Sequence, residues 1–519
     1  MWRCIVIEHK IKGYKWRWWT LAVLTLSLLV IGFDATILNV AIPELSRELN
    51  ASTTDLQWII DSYLLVFAGL LLPAGYFGDR FGRKKMLLIG LFIFAVTSVV
   101  AANASSTETL IIARAFMGVG AAIIMPLTFS ILPTIFASEE RSKATSIWAA
   151  GSGLGLLLGP IIGGFLLKHF SWTSVFWINV PFVTIVLIGG LFLIPESKSN
   201  HSPRIDFVGM LLSSTGLASI VYGIIEIPIK GWLAWETLVP NIGGIVLLIA
   251  FVIWERFVRE PLLDMNLFSN KRFSWGTVAV CTCLFAFMGM MFFLTQYVQF
   301  VLGYSAYETG IRITPLMGSL VVGSLFADFM VKKFGSKWVI SLGLFIMAIG
   351  LWVFSNVEIS DSYSYLATCL AIIGLGTGVS MAPAMDAVME ALPIDRVGIG
   401  TAVNNAFRQM SGTLGVAIMG SLVASLYKDN LSDSAAMASF PGEITDKLKQ
   451  SIGVAQAVAA KLPVEQGEIL IKAADSAFID GMRIALETGS GIMILGAIAT
   501  IIFLPSRAEN AIKNWEVPI

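Results

Sequence analysis

The chain has 519 residues, 56% of them hydrophobic and only 13% charged, and its 35 basic and 35 acidic side chains balance to a formal charge of zero. A soluble domain with so little charge lacks the polar surface to cover itself, and the mean hydropathy is +0.79. There is no basic excess to favour nucleic acid. In chain order, apolar runs of roughly the 20 residues that cross a bilayer core are predicted at 19–42, 57–78, 86–103, 108–133, 143–167, 174–195, 206–227, 239–257, 273–300, 309–331, 338–357, 364–391, 398–426 and 486–504, about fourteen in all. Only helices satisfy their own backbone hydrogen bonds in lipid over these lengths, so the expected fold is an all-α polytopic membrane protein.

Lys and Arg set the expected orientation. The N-terminal tail, the loop after span 2 (Arg80, Arg83, Lys84, Lys85) and the loop after span 10 (Lys332, Lys333, Lys337) are basic, whereas the opposite loops show Arg47, Lys168 and Lys230. That bias places both termini in the cytoplasm and the chain in the cell membrane. The N-terminal tail, 1–18, has no clear small-residue cleavage site and reads as retained. A second tail is expected at 505–519. Residues 427–485 form a long outer connection whose 443–461 stretch suits a helix, either a cover over a gate or a tolerated insertion.

The loop after span 2 reads GYFGDRFGRKK (75–85) and the loop after span 10 reads DFMVKKFGSK (328–337). Aligning Gly82 with Gly335 makes spans 1–6 (19–195) and spans 9–14 (273–504) two equivalent six-helix bundles, with 206–257 as an inserted pair. Gly75, Gly78 and Gly82 permit tight turning. Asp79 suits a helix end or a pairing with nearby cations such as Arg80 and Arg83; the same alignment puts Lys333 opposite Arg80 and Asp328 opposite Gly75, and the plain alternative is a topological anchor.

Charges inside spans mark function or pairing. Asp34 in FDATILNVAIP (33–43), Asp61 in WIIDSY (58–63) and Arg114 in RAFMGVGAAIIMP (114–126) all fall in the outer half by depth counting. An Asp34–Arg114 pair is expected, in which burial and a nearby cation pull the acid in opposite directions and allow proton exchange. A purely structural ion pair is the alternative, as is an Arg114 that snorkels to water. In the second half Arg408 lies near the midplane in NNAFRQMSGTLG (404–415), beside Asn404, Asn405 and Gln409. In FAFMGMMFFLTQYVQF (285–300), Met and Phe offer an adaptable surface, and Gln296, Tyr297 and Gln299 are expected in a cavity because polar groups avoid lipid. A lipid-facing or core stripe is the alternative for the apolar members.

The run GSGLGLLLGPIIGG (151–164) places Gly151, Gly155 and Gly159 on one helix face, followed by Pro160, Gly163 and Gly164. Inside an apolar span with no preceding strand it is no nucleotide loop, and close helix packing is its physical reading. No G-x-x-x-x-G-K-[ST] run is present, so energy comes from an ion gradient or a partner subunit. Cys4, Cys281, Cys283 and Cys369 show no metal or disulfide spacing, and His9, His169 and His201 lie in tails or loops, so no metal or cofactor is expected.

Over nearly its whole length the chain resembles the major facilitator superfamily, specifically its fourteen-span drug:proton antiporters, the exporters of quaternary ammonium compounds and dyes. The resemblance implies that 75–85 is a conformational latch, that Arg114 takes part in proton coupling, and that the span 5 glycine run marks an antiporter. Relatives that favour dications carry acidic residues where this chain has Asn404, Asn405, Arg408 and Gln409, which argues against tight recognition of divalent cations. The implied cargo is a lipophilic, often cationic small molecule, bound around Asp34, Asp61, Gln296, Tyr297, Gln299, Asn405, Arg408 and Gln409 and exchanged for protons across membrane lipid. Export of a lipid or metabolite, and less readily inward symport of a nutrient, are the alternatives.

Overall fold

The computed structural model describes residues 15–505 apart from 137, 199–205, 259–260, 262–264, 359–360, 393–396, 435–436 and 438–441. Both expected tails fall largely outside the described residues, at 1–14 and 506–519. All the described regular elements are helical.

The first half comprises α1 (Arg17–Glu48), α2 (Thr53–Phe81), α3 (Arg83–Ala102), α4 (Thr107–Ile135) and α5 (Ser138–His169), then a sixth span split into α6 (Ser174–Trp177) and α7 (Asn179–Leu193). The inserted pair is α8 (Phe207–Ile225) and α10 (Trp235–Phe257), joined by the single turn α9 (Ile227–Lys230). The second half begins with α11 (Lys271–Gln296), which ends in a π-helical turn, Tyr297–Val301. It continues through α12 (Ala306–Arg312), α13 (Thr314–Phe334), α14 (Ser336–Ser355), α15 (Tyr363–Glu390) and α16 (Val397–Asp433). Two short helices, α17 (Gly442–Leu448) and α18 (Ile452–Ala459), precede α19 (Val464–Phe503). Thirteen helical stretches among the described residues are long and apolar enough to cross a membrane, and the 32-residue α5 over the fifth predicted span completes the fourteen.

The internal repeat is visible in the packing. α2 lies on α4 as α13 lies on α15, α3 on α4 as α14 on α15, and α1 on α5 as α11 on α16. The aligned glycines occupy equivalent places: Gly82 (φ 109°) starts α3 and Gly335 (φ 83°) starts α14. Only a residue without Cβ takes that left-handed backbone cheaply, so each half needs glycine at its sharp turn between two spans.

The glycine face of α5 meets α1. A Cβ on Gly151 would stand 2.2 Å from Thr25 Cγ2, on Gly155 2.5 Å from the Leu29 carbonyl oxygen, and on Gly159 2.0 Å from Thr36 Oγ1. The two backbones are therefore nearly in contact, which fixes the register of α1 and presents its other face to the space between the halves. Gly164 instead meets the backbone of Ala306 at 2.7 Å, and Gly310 that of Pro160 at 2.3 Å, so the end of α5 closes against α12 of the other half.

The segment 427–485 differs from a loose outer loop. α16 continues to Asp433 and α19 begins at Val464, well before the predicted 486. Between them α17 and α18 lie across the ends of both halves. Thr53 N and Oγ1 donate to the Gln450 carbonyl at 3.1 and 2.9 Å, and the hydroxyls of Ser46 and Ser451 share a hydrogen bond of 3.2 Å. Gln456 Nε2 donates to the Phe300 carbonyl at 2.8 Å. This end of the molecule is called the covered face; the opposite one, bearing Arg83, Lys84, Lys85 and Lys332, Lys333, Lys337, is the basic face.

Candidate functional site

A cavity of about 180 Å³ lies between the halves. α1 lines it with Leu28, Ile31, Gly32, Ala35, Leu38 and Asn39, a stripe at helical spacing opposite the glycine seam. α2 adds Ile60, Tyr63, Leu64 and Phe67; α11 adds Leu284, Phe287 and Met288; α13 adds Met317, Leu320 and Val321. Polar lining comes from Thr377 on α15 and from Asn405, Arg408 and Gln409 on α16. The volume is below the roughly 300–1,000 Å³ of small-molecule sites, so a drug-sized cargo requires the halves to part further.

Beside the cavity, Arg114 and Asp34 form the expected pair, with Nη1 to Oδ2 at 2.7 Å and side chains 2% and 1% exposed. Two charges taken out of water are tolerated only when their remaining donors and acceptors are also used. Arg114 Nε donates to the Ile59 carbonyl at 3.2 Å, and its guanidinium lies 4.2 Å from the Tyr63 ring centre. Asn179 Nδ2 donates to Asp34 Oδ1 at 2.9 Å and to Ser98 Oγ at 3.2 Å. Arg114 borders the cavity, while Asp34 sits behind it. Asn179 and Tyr63 escaped the sequence analysis; Asn179 is a lone amide in the apolar stretch SVFWINVPF, and that is the signal that marks it.

Asp61 does not join this pair and does not line the cavity. It is fully buried, and among the described residues neither carboxylate oxygen has a hydrogen-bond partner. One turn earlier on α2, Gln57 Nε2 donates across the halves to the carbonyls of Val416 and Ala417, both at 3.3 Å, and Ala68 on the same helix packs into a cluster with Ala417. That stripe places Asp61 on the α2–α16 seam.

Gln296, Tyr297 and Gln299, expected in the cavity, are not among the residues that line it. Gln299 Nε2 donates to the Val40 carbonyl at 2.9 Å, bridging the halves, and Gln296 Nε2 returns to its own helix at Phe292 O, 3.2 Å away. Tyr297 packs edge-on against Phe354. A polar side chain kept out of lipid is served by a contact between halves at Gln299 and by its own helix at Gln296. Of the α16 group, Asn405, Arg408 and Gln409 line the cavity as expected.

At the basic face the loop motif is held by a residue the sequence analysis did not single out. Glu196 accepts from Lys84 N and Lys85 N at 3.1 and 3.2 Å, a carboxylate on the first turn of α3. Arg83 Nη1 donates to the Ser130 carbonyl at 3.1 Å, tying the turn to α4. Gly78 faces α4, where a Cβ would meet Leu127 Cδ2 at 1.9 Å, and Gly75 has ordinary clearance, 3.8 Å from Pro126. Arg80 is exposed, and the side chain of Asp79 lies outside the described residues. Asp328 is 72% exposed and pairs with Lys332 on its own helix at 2.6 Å. It makes no inter-half contact through that pair.

A second cavity, about 330 Å³ and almost wholly apolar, is walled by α2, α8, α10 and α16, with Leu217, Phe251, Phe268, Phe407 and Met410 among its lining. The inserted pair thus flanks the α2–α16 seam, while the rest of α10 presents Ile242, Ile245 and Ile249 outward.

Residues 24–416 match the model of the Major Facilitator Superfamily. The chain is 31% identical to the tetracenomycin C resistance and export protein of Streptomyces glaucescens, covering 96% of this chain and 94% of that one. It is 33% identical to the multidrug efflux pump LfrA of Mycolicibacterium smegmatis, covering 93% and 95%. In fold it is similar to a bacterial homologue of the human lysosomal transporter Spinster in an inward-facing, unoccupied conformation, with a TM-score of 0.67 at 17% identity over 96% of this chain and all of that one.

Proposed function

This chain belongs to the Major Facilitator Superfamily, and on that premise we propose that it exports lipophilic, often cationic, drugs or dyes in exchange for protons by alternating access. The relatives' names support the cargo class. The observation that carries the mechanism is the buried Asp34–Arg114 pair at the wall of a largely apolar cavity between two repeated halves.

With Asp34 ionised the pair is neutral. A proton on Asp34 removes that balance and leaves Arg114 as an uncompensated cation facing the cavity. The electrostatic work of holding a cationic cargo then rises, so proton and cargo exclude each other. Asn179 keeps Asp34 in position through the change, and the Tyr63 ring supports the guanidinium. Asp61 offers a second acid. An ionised carboxylate on the closed α2–α16 seam is unpaired and costly, which couples the state of the seam to a proton there.

The basic face is assigned to the cytoplasm of a cell membrane, with both termini on that side. The contacts between halves described above then lie on the outer side, and the conformation is cytoplasm-facing. Cargo enters from the basic face, the α5–α12 and α17–α18 contacts release, and cargo leaves as Asp34 takes an external proton. The glycine loop at Gly82 and Glu196 acts as the hinge at the inner end.

The test is ethidium efflux from cells carrying wild type or Asp34→Asn, with and without an uncoupler. Active extrusion that both the uncoupler and the substitution abolish supports the exchange. A folded wild type that moves no dye rejects drug export.

A further inference from the structure

Among the described residues, the charged side chains that line the central cavity are both cations, Arg114 and Arg408. Arg114 is neutralised by Asp34 at 2.7 Å. Arg408 has no acidic partner among the described residues. Its Nη1 donates to Asn405 Oδ1 at 3.2 Å, and its buried Nε has no partner among them. The neighbouring strand of contacts on α11 is neutral: Ser411 Oγ reaches the Cys281 carbonyl, and Cys281 and Cys283 are free thiols.

An unpaired guanidinium at this depth costs several kcal/mol in lipid and is retained where it faces a cavity that a ligand enters. Its five N–H donors form a planar fork that matches a carboxylate, and most of them are uncommitted here. Apolar side chains on α11, Leu284, Phe287 and Met288, stand in the same cavity and suit the body of a lipophile. The amide of Asn405 orients the fork, and Gln409 adds a polar neighbour one residue along α16.

We propose that Arg408 is an anion subsite, so that the transporter takes lipophilic acids, bearing a carboxylate or phenolate, as well as cations. This rests on the export reading and extends it. A cation is held on the first-half side, where ionised Asp34 cancels the Arg114 charge and so removes its repulsion; an acid is held on the second-half side, on α16. A cargo of either sign therefore uses one largely apolar space with two poles, a neutralised pair in the first half and the Arg408 guanidinium in the second.

Purified full-length protein in detergent is titrated with three probes that share one body: pyrenebutyrate, pyrenebutanol and pyrenebutyl-trimethylammonium. The expected result is that wild type prefers the carboxylate over the alcohol, and that Arg408→Gln weakens the carboxylate by about tenfold or more while the other two stay within about twofold. Arg408→Lys keeps the charge without the fork and falls between, and it serves if the Gln variant does not fold. Equal loss on all three probes assigns Arg408 a structural role and overturns the proposal, as does a carboxylate affinity that Arg408→Gln leaves unchanged. Wild type that binds the ammonium and the alcohol, but the carboxylate no better than the alcohol, overturns the anion subsite alone. Wild type that binds none of the three overturns the export reading with it.

Discussion

Gly155 and Leu29 approach so closely that a methyl group on the glycine would stand 2.5 Å from the Leu29 carbonyl oxygen. The obstacle is main chain, which cannot rotate away. Gly155→Ala therefore pushes α5 off α1 and is expected to destabilise the protein by about 1–3 kcal/mol, as overpacking does. Gly491→Ala, where nothing lies within 4 Å, is the control and should be neutral. Thermal unfolding in detergent, followed by size-exclusion chromatography, checks both.

The Asp34–Arg114 pair predicts strong non-additivity. Arg114→Gln alone leaves a buried carboxylate without its cation and should cost about 3–5 kcal/mol. Adding Asp34→Asn removes the stranded charge and should recover most of that loss, although efflux stays abolished. A double-mutant cycle on unfolding measures the coupling; additive losses would contradict the buried-pair account.

Ser46 and Ser451 join the first half to the 427–485 segment across 3.2 Å. Replacing both with Cys should allow an oxidative cross-link, the native Cys283 and Cys369 being buried. If the covered face opens during transport, oxidation arrests dye efflux and a reductant restores it. Undiminished efflux from the cross-linked protein would remove this segment from the gate.

Glu196 holds the first turn of α3 against the Gly82 turn. Glu196→Gln keeps the shape and loses the charge at the helix N-terminus, an effect of about 0.3–1 kcal/mol. The turn is then expected to close less firmly, lowering efflux more than stability. Gly82→Ala adds backbone strain at φ 109° and should be worse on both counts, read by efflux rate and melting temperature side by side.

Gly82 and Gly335 show how far local sequence reaches. Aligning two short loops located the repeat, and the structure puts both glycines at the same left-handed turn. The spans were equally legible, because lipid tolerates only long apolar helices there. The cost of lone charges in a membrane made an Asp34–Arg114 pair one reading among several, and the structure shows that contact at 2.7 Å. Gln296, Tyr297 and Gln299 were flagged because a polar side chain must avoid lipid, yet a contact between halves meets that need at Gln299 and the residue's own helix does at Gln296, so polarity alone does not select a cavity position.

By itself, then, the sequence determined an all-helical membrane protein with about fourteen apolar spans and two matching loop motifs, because hydropathy and the cost of a lone charge in lipid act on every residue wherever it lies. Tertiary structure alone decided that Asn179 completes the Asp34 pair, that Asp61 lies on the α2–α16 seam, and that Arg408 faces the cavity without an acid. Those outcomes depend on which helix faces meet across hundreds of residues of chain, and helical periodicity fixes a face without naming its partner.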